Sequence, residues 1–405
     1  MSGPLAGLRV LDLSIMAAGP WTGALLGELG AEVIKVEPPA GDGTRWVQPL
    51  QRGMGTNYIS MNVNKRGTIL DLKDAAGRQA ALDIAARCDV LVQNFRVGAI
   101  DRLGLGYDAV RKVNPRLVYC SISGFGGTGP LARERCADFI MQAFSGFARI
   151  NGSGGTEAEA FRFTGYLDLT TATVATEAIL AALLDREQTG EGQHVDVSML
   201  EAALEIQYNR VAEMLIADQA AAPMGSQNPA FAPDRAYATV DRDVFVSVRD
   251  QRGWRALCAA IGQPELADRP ELATNRLRVA NRELLDEVLE PAFAAKPAIW
   301  WLRALRRAGV AAGLGQYLET FRHHGQVIQN EMIAEIDTRW GPVMVGGLPW
   351  KFSQTPCQVT PPPEPGGDTE AVLKETGSTP RQVTITSKVT GIAPPETAAA
   401  PKELA

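Results

Sequence analysis

Short apolar runs alternate with stretches of helical periodicity through the first half of the chain. Arg9–Leu13 reads as a buried strand, Pro20–Gly30 as a helix with proline in its first turn, and Glu32–Glu37 as a second strand. Thr68–Leu72 predicts another strand and Asp74–Arg87 a helix with Asp74 as N-cap, before strands at Asp89–Gln93 and Leu117–Ile122. Helices are expected at Ala137–Ile150, Leu169–Arg186 and Met199–Ile216. Such alternation builds an α/β fold, a Rossmann-like, mostly parallel sheet with helices on both faces.

Near residues 220–234 the pattern changes to a stretch rich in Ala, Pro, Gly and Asn, which reads as a linker. A hairpin follows, Ala236–Val240 and Val244–Val248 turned by Asp241–Asp243, then helices at Gln251–Ile261, Asn281–Ala294 and Trp300–Ala308. The expected organisation is a large domain beginning at residues 1–220, a linker and small α+β domain at 221–308, and a return to the large domain at 309–377. The return ends in a Pro-rich strap and a short helix. Residues 378–405 are Thr-, Pro- and Ala-rich without helical periodicity and form an atypical tail.

A length of 405 residues supports two domains, and 45% hydrophobic with 21% charged residues suits a soluble enzyme. The formal charge of -6 argues against a nucleic-acid partner, which needs a basic face. Five cysteines without a C-x-x-C pair, and no H-E-x-x-H, predict reduced thiols and no metal site. No charged n-region precedes an apolar core at the N-terminus, and no run is apolar enough to span a bilayer, so the expected compartment is the cytoplasm, with no membrane partner.

Chemistry is sought where elements begin and end. The turn after the first strand, Ser14–Pro20, lacks G-x-G-x-x-G, which counts against a dinucleotide cofactor despite Glu37 at the end of the second strand. In NVNKRGTILDLK, Lys65, Arg66 and Lys73 read as solvated charges unless an anionic ligand gathers them. Asn94-Phe95 falls at the carboxyl end of a strand, where open α/β sheets bind ligands, although an ordinary turn with a core Phe fits as well. Asp168 opens the long apolar helix. An acid there is ordinarily a helix cap, but a carboxylate held at a helix N-terminus is also a usable nucleophile. With His194, His323 and His324 the only histidines and no G-x-S-x-G, a serine triad is poorly supplied, and His194 reads as a strand-edge residue.

Several blocks together resemble the family III CoA-transferases, whose relatives include the formyl-CoA and carnitine CoA-transferases. They are GLRVLDLSIMAAGPWTGALLGELGAEVIKVEPP, NKRGTILDLK, DVLVQNFRVGAIDR (with Val97 in place of the usual Pro), SISGFGGTGP, and the run from Arg162 to Ala202 containing TGEGQ. The resemblance implies that Asp168 is a covalent nucleophile. It also implies that Ala17, Ala18, Leu70, Asp71, Leu72, Lys73, Asn94, Phe95, Arg96, Arg102 and Arg135 lie along CoA, a substrate rather than a permanently bound cofactor. The partners implied are an acyl-CoA and a carboxylic acid. Members are intertwined dimers and some are heteromers, which leaves both a homodimer and a heteromer open. A non-catalytic CoA-binding subunit is the alternative, motivated by Ala172 where many relatives have Gly and by the unusual tail. An acyl-CoA racemase is a weaker one, because Ala137 stands where racemases place the histidine that precedes the aspartate matched by Asp138. Met224-Gly225-Ser226-Gln227 is less glycine-rich than the matching loop of the formyl-CoA branch, so formate and oxalate are not the favoured acids.

Overall fold

The computed structural model describes residues 2–153, 158–162 and 164–378, so the tail after Ser378 lies outside the described residues. Two compact units result. One comprises the described residues up to Ser145, Phe161–Ala212 and those from Ile328 on; the other comprises the described residues of 146–160 and Glu213–Val327.

The first unit is built on a parallel sheet. Its strands are β1 (Arg9–Asp12), β2 (Glu32–Glu37), β3 (Lys65–Ile69), β4 (Val90–Gln93), β5 (Val118–Ser123) and β6 (His194–Ser198), in the spatial order β3-β2-β1-β4-β5-β6. This is the Rossmann order, and its direction reverses between β1 and β4. Helix α1 (Ala18–Glu28) joins β1 to β2, and α2 (Ala75–Ala85) joins β3 to β4. Asp74 caps α2 as expected, its carboxylate accepting from the N–H groups of Ala76 and Gly77. On one face α2, the helix Tyr107–Val113 and the final helix Thr369–Thr376 cover Leu11, Ile34, Leu91 and Tyr119. On the other, α1 and the long helix α4 (Tyr166–Thr189) cover Val10, Val33, Val92 and Val118.

Helix α4 tolerates many β-branched residues because its threonines turn their hydroxyls onto carbonyls one turn back, as Thr171 does to Leu167 (2.6 Å) and Thr176 to Ala172 (2.8 Å). It stops at Gly190, whose φ of 78° suits glycine and whose N–H reaches the Arg186 carbonyl. Contrary to expectation, this helix is by length and composition apolar enough to cross a bilayer. Ala172, Ala175 and Ile179 on one face are nonetheless fully buried in the core.

Other expectations shift. The strand placed at Thr68–Leu72 begins earlier, at Lys65. The helix expected over Ala137–Ile150 is α3 (Asp138–Phe144) and a separate turn Phe147–Ile150, because Gly146 takes a left-handed conformation between them. The helix expected over Met199–Ile216 breaks at Gln207, giving α5 (Met199–Ile206) and Tyr208–Ala217. An unforeseen hairpin pairs Ile333–Thr338 with Gly341–Gly346, and its turn inserts Trp340 among Met54, Tyr58 and Ile59.

The second unit is α+β. An antiparallel sheet in the order Ala311–Leu314, Val244–Ser247, Asp234–Tyr237 packs against helices around Trp254, Phe293 and Trp301. The hairpin falls close to its predicted place, with Tyr237 opposite Val244.

Charge is buried beneath the sheet's switch point. Asp12, at the end of β1, and Lys35 are inaccessible, and Lys65 is only 6% exposed, which overturns its reading as a solvated cation. The Lys65 ammonium donates to Asp12 (2.9 Å), the Pro20 carbonyl (2.7 Å) and the Asn62 side chain (2.9 Å), using all three of its hydrogens. Lys35 donates to the Ser14 carbonyl and lies 3.3 Å from Asp42. Burial disfavours the charged Asp12, but Lys35 and Lys65 outweigh it and hold the carboxyl below its ordinary range. Burial also lowers Lys65, to about 8, against the pull of Asp12. Gly23 leaves the room this pair needs, since a Cβ there would sit 2.8 Å from the Asp12 carboxylate and 3.1 Å from the Lys65 nitrogen.

Removing Lys65 takes away the nearer of the two cations that match the buried Asp12 charge. Lys65→Met is expected to cost about 3–5 kcal/mol, read as a lower urea midpoint at unchanged slope. The double variant Asp12→Asn, Lys65→Met should regain part of that loss.

Candidate active site

The loop between β1 and α1 is fixed from several sides. Asp12 accepts from the Ser14 N–H (2.9 Å) and from its hydroxyl. Asn94, just past the end of β4, brackets Ile15: its carbonyl accepts from the Ile15 N–H (2.9 Å) and its amide donates to the Ile15 carbonyl (2.7 Å). Met16 is held at φ 69°, an uncommon conformation for a side-chain-bearing residue. The product of these constraints is a start to α1 at which Ala17 holds the N-cap position and no side chain caps the helix.

The Ala18 N–H lies near enough to the Asp168 carboxylate to favour its ionised form. Asp168 is not the N-cap expected of it. Gly165 holds that position, and Asp168 is the third residue of α4. The capping oxygen comes from Asp138, at the start of α3: it accepts from the N–H groups of Leu167 (2.6 Å) and Asp168 (3.0 Å). The other Asp138 oxygen accepts from the Gln142 amide, and Gln142 in turn clamps Phe161 by accepting from its N–H (2.8 Å) and donating to its carbonyl (2.9 Å). The sequence reading missed this role, because a cap supplied from 30 residues away has no local signature.

Asp168 is half-buried, and its pKa is raised to about 6. Burial is the larger cause and the neighbouring Asp138 charge the second, while the Ala18 N–H pulls the other way. At neutral pH the group is still mostly ionised, and it is more basic than an ordinary aspartate. Gly165 keeps its surroundings open on one side, since a Cβ there would lie 3.0 Å from the carboxylate. Ala172, one turn further along, is fully buried in the helix packing.

The other predicted residues fall into two groups. Ala17, Ala18 and Asn94 belong to the bracketed loop beside Asp168. Leu70 is a core residue, and Leu72 and Phe95 pack on the same cluster. Phe95 and Arg96 also line a cleft of about 380 Å³ with Gly98, Ser121, His194 and Asp196. Asp71 accepts from the Lys73 N–H (2.9 Å), turning the chain after β3. Lys73, Arg96, Arg102 and Arg135 are exposed cations on loops and one short helical turn, and Arg135 directly precedes Cys136. His194 does begin the edge strand, where it hydrogen-bonds Ser121 (2.8 Å) and stacks on Tyr107. Among the described residues no group of His, Cys, Asp and Glu could hold a metal ion.

The chain matches CoA-transferase family III over residues 5–369. The succinyl-CoA:glutarate CoA-transferase of Mus musculus is 34% identical over 378 residues, covering 92% of this chain and 86% of its own. The acetyl-CoA:oxalate CoA-transferase of Acetobacter aceti is 36% identical, covering 87% and 90%. The crystal structure of a CAIB/BAIF family protein from Brucella suis superposes with a TM-score of 0.84 at 31% identity, over 93% of this chain and 100% of that one. A parallel sheet of Rossmann order with a half-buried acid in the first turn of α4 is thus accompanied by agreement along nearly the whole sequence, and the chain belongs to CoA-transferase family III.

Proposed function

We propose that this CoA-transferase works through covalent intermediates on Asp168, and that Ala17, Ala18, the residues 70–73, Asn94, Phe95, Arg96, Arg102 and Arg135 line the path of CoA. The observation that carries the reading is the Asp168 carboxylate itself, half-buried in the first turn of α4, more basic than usual and close to the Ala18 N–H. The carboxylate attacks the thioester carbonyl of the donor, the C–S bond breaks, and CoA leaves as thiolate with a mixed anhydride on Asp168. The thiolate then attacks the aspartyl carbonyl and displaces the donor acid, leaving an aspartyl–CoA thioester. The acceptor carboxylate attacks that thioester and expels the thiolate, which attacks the acceptor's acyl carbon and frees Asp168. Each bond broken is replaced by one of similar energy, so no ATP is consumed. The Ala18 N–H beside the carboxylate is available to the oxyanion that develops when the thiolate attacks the aspartyl carbonyl, where a fixed donor lowers the barrier.

The names of the relatives make succinyl-CoA with glutarate, and acetyl-CoA with oxalate, the first pairs to assay. An intertwined dimer accords with the family resemblance and with the exposed Met344 and Phe352 of the returning segment. Sedimentation of the purified protein tests it.

Asp168→Asn is expected to abolish transfer and the hydroxylamine-sensitive adduct while CoA still binds, with mass spectrometry guarding against deamidation. Transfer at normal rates by an intact Asn variant would leave only a non-covalent mechanism, and absence of both transfer and adduct in the wild-type protein across a broad panel would favour a CoA-binding subunit. In the wild-type protein kcat should fall as the pH drops through about 6, where Asp168 takes up its proton.

The same shift has a sign for stability. The folded protein holds this proton more tightly than the unfolded chain between the ordinary 3.8 and about 6. The ionised group therefore subtracts stability above that window, and the penalty fades as the pH falls through it. Asp168→Asn should accordingly be more stable than the wild type at neutral pH by about 1 kcal/mol, an advantage that thermal melts should find gone by about pH 4.

Lys73→Ala and Arg102→Ala should each weaken CoA binding about three- to tenfold by removing a charge-assisted contact, with circular dichroism unchanged. Unaltered affinity in both would move the nucleotide elsewhere.

A further inference from the structure

The acid that caps α4 shares its surroundings with the acid proposed to do the chemistry, and the two are not interchangeable. Asp138 spends one oxygen on the N–H groups of Leu167 and Asp168 and the other on Gln142. The Asp168 carboxylate takes no part in that cap and has the Ala18 N–H nearby. Because Asp138 binds the Asp168 backbone, it fixes where that residue starts in the helix. Because Gln142 ties the same carboxylate to Phe161, the segment leading into α4 is held by the same side chain.

We infer that Asp138 is a positioning residue for the transfer reaction, holding the backbone of Asp168 in register and, through its own negative charge, strengthening that carboxylate as a nucleophile. The inference rests on Asp168 being the nucleophile. Among the described residues, Asp138 is the charged group that acts on Asp168. Alpha-1 offers backbone and the uncharged Ala17 to Pro20, the loop before α3 offers the Cys136 thiol, and Arg162 lies over the Phe139 ring. Cys136 is pushed up to about 11, by burial first and then by the two carboxylates against a backbone contact to Ala137, so it stays neutral and cannot substitute for the Asp138 charge. Three hydrogen bonds from the protein itself already occupy the Asp138 carboxylate, two on one oxygen and one on the other.

The test separates charge from capping. Asp138→Asn keeps an oxygen for the two backbone N–H groups and removes the charge; Asp138→Ala removes both. Single-turnover formation of the aspartyl adduct, followed against pH, should in Asp138→Asn show its acid limb moved below that of the wild type, toward the ordinary 3.8, with the rate at neutral pH several-fold lower. CoA affinity and the melting temperature should stay near wild type. Asp138→Ala should show the same displaced limb with a lower melting temperature. Should the Asn amide be poorly received beside the Gln142 nitrogen, the limb of Asp138→Ala, which also lacks the charge, gives the same reading. An acid limb that coincides with the wild type in a folded variant overturns the inference, because a purely structural cap would alter melting and leave the limb in place. Failure of the underlying reading looks different: no adduct would then map to Asp168 in the wild-type protein.

Discussion

Asp12 ends the central strand inside the protein, and its charge has to be matched there before the loop that follows can take a fixed shape. Burying a carboxylate and two ammonium groups costs several kcal/mol per ion, which only good geometry recovers. Here Lys65 comes from the edge strand β3 and Lys35 from β2, so the charges are delivered by the sheet itself and meet where the strand order reverses. Lys65 also grips the Pro20 carbonyl inside the first turn of α1, and Lys35 the Ser14 carbonyl just ahead of it. The pair thus ties both ends of the loop to the sheet, and the Ala18 N–H inherits its direction from a charge network that touches no substrate.

The division of labour between the two site aspartates follows from elementary pKa physics. Hydrogen bonds from helix N–H groups favour the ionised form and lower a carboxyl's pKa. Had Asp168 capped its own helix, it would be a weaker base with its oxygens already occupied. A remote acid takes over the cap, and Asp168 stands in the first turn with its side chain free of that duty, where burial and the neighbouring charge raise its pKa. The cost is one extra negative charge in a half-buried place, the kind of local conflict that functional sites carry.

Much of this was legible in the sequence. The strands β1, β2, β4 and β5 are short apolar runs bounded by turn residues, and such runs announce themselves. Asp74 was readable as a cap because its partners are two and three residues away. Breaks within helices were harder: nothing in periodicity distinguishes Gly146 as a left-handed hinge from a tolerated glycine inside a helix. Lys65 was misjudged for a deeper reason. Lysine next to Arg66 in a polar stretch looks like surface, and only the sheet order shows that the two point to opposite faces, one into the Asp12 site and one outward to Glu32 and Glu375. For the site, motif resemblance singled out Asp168, but geometry was needed to show who caps its helix.

The position of Asp168 is ultimately a matter of helix packing. Alpha-1 and α4 lie together on one face of the sheet, with Ala18, Ala175, Ile179 and Ala182 in the same buried cluster. Small residues at such a crossing let two helices approach closely, and here closeness is what brings the Ala18 N–H to the carboxylate. Ala172, which the sequence comparison marked as a departure from glycine, is enclosed without exposure, so its methyl is part of that packing and adds definition to a helix that glycine would loosen. A nucleophile on a packed helix, met by a donor at the start of a second helix, is held to tighter tolerances than one on a loop. That rigidity suits a reaction whose successive intermediates all form on the same carboxylate.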